Sequence, residues 1–129
     1  MSDATDAVRL VVDAINRVDL ERFADAISED FEIDFSNSRS PMSGVYRGRD
    51  QAQEFLRSFL EPWSTLEFHA QELIELKGGR VLQVGGLRSR GHGSGVEVEA
   101  SGATVWTIRD GEVAAVKLYQ SKEEALEAS

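Results

Sequence analysis

From Arg80 to Tyr119 the sequence alternates apolar and polar residues through two glycine turns, a pattern that predicts an antiparallel meander of three strands. The first turn is Gly91-His92-Gly93-Ser94-Gly95; the second is Arg109-Asp110-Gly111, where an Asp-Gly pair between apolar runs favours a tight hairpin. If the first hairpin closes on Gly93 and Ser94, Arg90 falls opposite Glu97 and Arg88 opposite Glu99, so that charges of opposite sign pair on one face. That face is expected to point outwards. The same register sets Leu87 against Ala100, Gly85 against Gly102, Gln83 against Thr104 and Val81 against Trp106 on the inner face. Further along, the outer face turns apolar at Leu82, Val84, Ala103 and Val105, and an apolar outer face predicts a partner subunit, here a homodimer.

The 129 residues, 41% of them apolar, suffice for one domain, residues 1–129, with a core of its own. A formal net charge of -9 argues against a nucleic-acid partner, because phosphate binding needs clustered Lys and Arg. The absence of cysteine excludes disulfides, thiolate nucleophiles and zinc-thiolate sites. No apolar run approaches the roughly 18 residues of a membrane span, and no basic-then-apolar leader follows Met1, so a cytoplasmic protein without a membrane partner is expected.

Upstream, Val8, Val11, Val12, Ile15 and Val18 recur at helical spacing between about Asp3 and Arg17. Asp19 stands where an N-cap belongs, and Leu20, Phe23, Ala24 and Ile27 carry a second, shorter helix that ends at Ser28-Glu29-Asp30. Phe31 to Phe35 alternates as a strand, with Phe31, Ile33 and Phe35 on one side and Glu32 and Asp34 on the other. Ser36 to Gly44 reads as a loop, either a flexible lid or a surface connection. A third helix runs from about Arg49, with Ala52, Phe55, Leu56, Phe59 and Leu60 as its buried stripe and Pro62 at its end. Thr65 to Leu76 is a long, bent strand turned by Lys77-Gly78-Gly79 into the meander, and Ser121-Lys122-Glu123-Glu124 fits the capping box of a short last helix. The fold class is α+β, with three N-terminal helices packed on a curved, mostly antiparallel sheet that wraps a cone.

Three segments carry a resemblance to a known family: Ala14-Ile15-Asn16-Arg17-Val18-Asp19-Leu20-Glu21, Tyr46-Arg47-Gly48-Arg49-Asp50, and Val105-Trp106-Thr107-Ile108-Arg109-Asp110-Gly111-Glu112-Val113. In these the chain resembles the nuclear transport factor 2-like superfamily, and within it the SnoaL-like proteins, over nearly its whole length. The resemblance implies a cone-shaped fold, a small-molecule pocket and a homodimer, and it leaves function open because the fold hosts isomerases, epoxide hydrolases, cyclases and non-enzymatic binding proteins. Ketosteroid isomerase within this fold needs a helix-one tyrosine, a carboxylate base and a protonated acid. By ungapped matching those places fall at Val11, Phe35 and Thr104, with Asp34 one residue from the base position. The Asp-Arg-Asp set of limonene epoxide hydrolase falls near Gly85, Leu87 and Leu118 and is missing as well.

Among the remaining residues Asp34 is the candidate general base, since a carboxylate beside an apolar cavity has its pKa raised, unless it simply faces solvent. Tyr46 either donates a hydrogen bond to a ligand oxygen or packs at its loop–helix junction. His69, in a strand rich in Glu and Gln, and His92, in a glycine turn, are weaker proton carriers. The two histidines show no metal-ligand spacing, so neither a metal nor another cofactor is expected. The inner-face residues Gln83, Leu87, Thr104, Trp106, Val116 and Leu118 form the candidate ligand pocket. There Trp106 either fills the core or, beside Gly85, Gly102 and Ala100, forms one wall of a slot. Trp63 closes the wide end of the cone or lies at the surface. Two functions follow: a non-catalytic domain whose cone holds an apolar small molecule, or an isomerase, lyase or hydrolase with Asp34 as base and Tyr46, Gln83 or Thr104 orienting a carbonyl or hydroxyl.

Overall fold

A computed structural model describes residues 3–37, 43–61, 63–91, 93 and 95–128. Ten elements follow in the order α1 (Asp3–Asn16), α2 (Leu20–Ala26), β1 (Ile27–Asp34), β2 (Val45–Arg47), α3 (Gly48–Leu60), β3 (Trp63–Leu76), β4 (Arg80–Gly91), β5 (Glu97–Arg109), β6 (Glu112–Tyr119) and α4 (Lys122–Ala128). The strands make one sheet in the order β2-β1-β6-β5-β4-β3. The architecture is the mixed α+β one expected from the sequence. No helix among the described residues is long and apolar enough to cross a membrane.

The meander keeps the register that its charge pattern dictates. Arg90 pairs with Glu97, Arg88 with Glu99, Gln83 with Thr104 and Val81 with Trp106. The outward ion pairs close at 3.0 Å, from Arg88 Nη2 to Glu99 and from Arg90 Nη2 to Glu97. Asp110 and Gly111 both take positive φ, 54° and 80°, as the tight mirror-image hairpin turn requires, and the twist of that turn matches the right-handed twist of the strands. In β3 the register shifts between Ala70 and Glu72, an extra residue that bends the strand. His92 and Ser94 of the first turn, the side chain of Trp63, and residues 38–42 with the lid expected there lie outside the described residues.

The first strand departs from expectation in three ways. It begins at Ile27, which helical spacing had placed in the second helix, because Ile27 leaves α2 with extended backbone, φ -104° and ψ 154°. It runs parallel to β6, and the register shifts between Ile27 and Glu32. There Arg49 of α3 donates through Nε and Nη2 to the Ile27 carbonyl, at 3.2 and 2.9 Å, and ties α3 to the start of the strand. Finally, the three-residue β2 pairs antiparallel with β1, setting Tyr46 against Ile33.

Helix α1 ends in a Schellman turn: Val18 N–H donates to Ile15 O and Asp19 N–H to Ala14 O, at 3.0 and 2.9 Å. The left-handed position falls on Val18, φ 54°, a strained place for a β-branched residue. Asp19 Oδ1 then accepts from Arg22 N–H as the N-cap of α2. The main core lies between the helices and the inner sheet face, where Val8, Val11, Phe23, Ile27, Phe31, Val81 and Val113 are at most 2% exposed.

A second core corrects the reading of the outer face. Leu82, Ala103 and Val105 are buried, together with Ala125 of α4, and Val84 packs against them. The apolar run that predicted an exposed subunit interface is covered by the chain's own C-terminal helix. Ser121 Oγ caps that helix by accepting from Glu124 N–H at 3.1 Å.

Candidate functional site

The inner face of the sheet is too curved for the helices to fill completely. The space left is a cavity of about 390 Å³, within the range of small-molecule sites. Val12 and Ile15 of α1 and Phe55, Leu56 and Phe59 of α3 form its helical wall, and Phe23, Phe31, Ile33, Phe35 and Phe68 line it further. The aromatic wall is continuous. Phe35 meets Phe55 edge-on at 5.0 Å, Phe55 stacks on Phe59 at 5.8 Å and Phe59 on Phe68 at 6.2 Å between ring centroids.

The opposite wall is the meander. Gln83, Leu87, Thr104, Trp106, Val116 and Leu118, the six residues that alternation places inwards, all line the cavity. Gly85 and Gly102 face one another across β4 and β5 and leave room where side chains would stand. Ser101 and Gln120 line the space and are also exposed, which marks where it reaches solvent. No Asp, Glu, His, Lys or Arg occurs among the described lining residues.

The polar groups that do face inwards are coupled. Trp106 Nε1 donates to Gln83 Oε1 at 2.9 Å and lies 3.1 Å from Thr104 Oγ1, whose hydroxyl donates to Gln83 Oε1 at 3.4 Å. Trp106 therefore does both things weighed for it: 5% exposed, it packs in the core, and it also presents a wall to the cavity.

The structure places Asp34, the candidate base, away from the cavity. It pairs with Lys117 across β1 and β6 and is absent from the cavity lining. Its Oδ1 accepts from the Ser36 hydroxyl at 2.6 Å and from Ser36 N–H at 3.0 Å, and Oδ2 lies 3.8 Å from Lys117 Nζ. The Ser36 hydroxyl, opposed by partial burial and aided by the Ser36 amide and Lys117, holds the carboxyl below its ordinary pKa. A group kept ionised by its partners is a poor proton acceptor near neutral pH. Tyr46 is not in the lining either. Its ring packs on Phe55 at 4.6 Å, one layer behind the cavity wall.

His69 is exposed, with Nε2 3.5 Å from Glu67. Among the described residues no cluster of three His, Cys, Asp or Glu side chains is placed to hold a metal ion. The places matched to the two catalytic sets stand in the right region. Phe35, Thr104, Gly85, Leu87 and Leu118 line the cavity and Val11 is buried in the core, but none carries an ionisable group. Sequence reasoning missed the phenylalanine wall as part of the site, since a helical stripe looks alike whether it packs against protein or borders a void. It also missed the binding of Gln83 to Trp106 across the hairpin, which the register implies.

Known structures share this fold across almost the full chain. An NTF2-like protein of unknown function from Burkholderia pseudomallei is 21% identical, with 98% of this chain and 97% of that one covered at a TM-score of 0.80. A Mycobacterium tuberculosis protein in complex with estradiol-17beta-hemisuccinate is 14% identical, covering 96% and 98% at a TM-score of 0.80. A computationally designed 17-OHP binder is 16% identical, covering 96% and 97%, also at 0.80. No curated protein matches the sequence. The SnoaL-like domain pattern matches residues 8–116, most of the chain, from the first helix to the last strand. The chain belongs to the SnoaL-like domain family.

Proposed function

We propose that this protein binds a neutral, largely apolar small molecule in the cavity between α1, α3 and the sheet, and that it does so without catalysis. The observation that carries this reading is the lining: a space of about 390 Å³ walled mainly by aromatic and aliphatic side chains, with no Asp, Glu, His, Lys or Arg among its described residues. Such a wall gains free energy by excluding water from an apolar ligand and offers no carboxylate, imidazole or amine to move a proton. Similar structures point the same way, one holding estradiol-17beta-hemisuccinate and one designed to bind 17-OHP.

The test uses the neutral fluorophore N-phenyl-1-naphthylamine, whose emission rises in apolar surroundings. Gly102→Leu blocks the site: the backbone there is not left-handed, and a Cβ would meet only the Tyr119 carbonyl at 3.6 Å, an ordinary contact. The wild type should show saturable binding, weakened at least about tenfold in the folded Gly102→Leu variant, as expected when about 1.4 kcal/mol or more of contact is lost. Equal binding by both would place the fluorophore elsewhere and overturn the reading. Acceleration of deuterium exchange into an enolisable ketone such as 2-tetralone would overturn its non-catalytic part.

A further inference from the structure

The Gln83 side chain is 7% exposed and sits on the cavity wall. Its orientation is fixed by chemistry, because an indole N–H can only donate. Trp106 Nε1 at 2.9 Å must therefore face the amide oxygen, and the Thr104 hydroxyl, 3.4 Å away, donates to the same atom. With Oε1 engaged twice, the amide nitrogen is turned away from Trp106. No described residue accepts from it. Nor is it sealed in: among the described residues, Ser89 Oγ is the buried side-chain polar atom that lacks both a partner and open space. The two N–H bonds of Gln83 thus open into the cavity, on a wall that is otherwise apolar around them.

We propose that Gln83 determines the specificity of this cavity by donating from its amide nitrogen to a neutral carbonyl oxygen on a flat, otherwise apolar ligand. This rests on the ligand-binding reading above and names its chemistry. Room for the ring system lies over Gly85 and Gly102, the next inward pair along the hairpin from Gln83 and Thr104. A hydrocarbon of the same shape would bury the two N–H groups without an acceptor, which costs more than the bond itself returns. A carboxylate would lose its hydration with no cation among the described lining residues to replace it. The selected class is therefore ketones, quinones and lactones.

The experiment compares 9-fluorenone with fluorene, flat molecules differing at one carbonyl, in wild type, Gln83→Leu and the nearly isosteric Gln83→Met. Taking the ratio of the two dissociation constants within each protein cancels changes in overall packing. The preference for fluorenone should fall about tenfold in both variants, the scale of one buried hydrogen bond with its unmet-donor penalty. The Gln83 side-chain 15N resonance should shift with fluorenone and stay in place with fluorene. A ratio unchanged by either variant, with both compounds excluded by Gly102→Leu, overturns the role of Gln83 and leaves the binding cavity standing. Failure of both compounds to bind, or binding indifferent to Gly102→Leu, overturns the cavity reading and this inference with it.

Discussion

The carboxyl group of Asp34 and the amide of Gln83 lie on opposite faces of the same sheet, and that placement separates their roles. Asp34 is stabilised in its charged form by Ser36 and Lys117, so its folded pKa is lower than its ordinary value of 3.8. A lowered folded pKa means that the stabilisation is present above pH 3.8 and is lost as pH falls through the lower folded value. Asp34→Asn should therefore cost about 1 kcal/mol at pH 7, the scale of one net hydrogen bond, since the amide keeps an acceptor for Ser36 and loses only the charge. The difference from wild type should vanish at a pH low enough to protonate Asp34 in both states. Urea unfolding at the two pH values checks this, and a deficit that persisted unchanged in acid would show that the charge is not what matters. The alternation of Phe31, Ile33 and Phe35 against Glu32 and Asp34 already set Asp34 apart from the apolar side. Its partner Lys117 was not legible, because a parallel pairing of β1 with β6 joins residues more than 80 positions apart and leaves no local pattern.

Between elements, Asn16 does for α1 what a neighbouring strand would do for β3. Strand β3 is an edge of the sheet, and an edge exposes unpaired backbone groups. The Asn16 side chain answers two of them at one residue: Phe68 N–H donates to Oδ1 at 2.9 Å, and Nδ2 donates to Phe68 O at 3.2 Å. This docks the end of α1 beside Phe68, which lines the cavity. Asn16→Ala should cost about 2 kcal/mol for the two bonds and should speed amide exchange at Phe68, whose N–H donates to Asn16, more than at β3 amides that do not bond Asn16. Unchanged protection at Phe68 would mean that the contact does not hold the edge. Elements with local signals were readable in advance: the Asp110-Gly111 turn from its dipeptide, the β4–β5 register from opposed charges, α2 from the Asp19 cap. Strand β2 was not, since three residues carry no period, and Ile27 satisfies a helical stripe and a strand equally well.

At the scale of the whole molecule, the two faces of the sheet are covered differently. The inner face meets α1 and α3 over a gap that becomes the cavity, whereas the apolar end of the outer face meets α4 directly. Apolar surface at Leu82, Val84, Ala103 and Val105 needs a cover, and alternation alone cannot say whether another subunit or the chain's own terminus supplies it. Ala125, 0% exposed among Leu82, Ala103 and Val105, shows that α4 does. It is a seven-residue helix, too short to persist in water by itself, so it holds through this contact and the Ser121 cap. An arginine at 125 cannot be buried there without a partner for its charge, and Ala125→Arg should detach α4 and bare the patch. The expected result is a loss of about 2 kcal/mol or more, in the range for burying an unpaired charge or losing a core contact, together with concentration-dependent association in sedimentation that exceeds that of wild type. Ala125→Leu, which keeps the face apolar, should not associate in this way even where overpacking lowers its stability. If Ala125→Arg unfolded at the wild-type denaturant concentration and sedimented like wild type, α4 would not be the cover of the outer face.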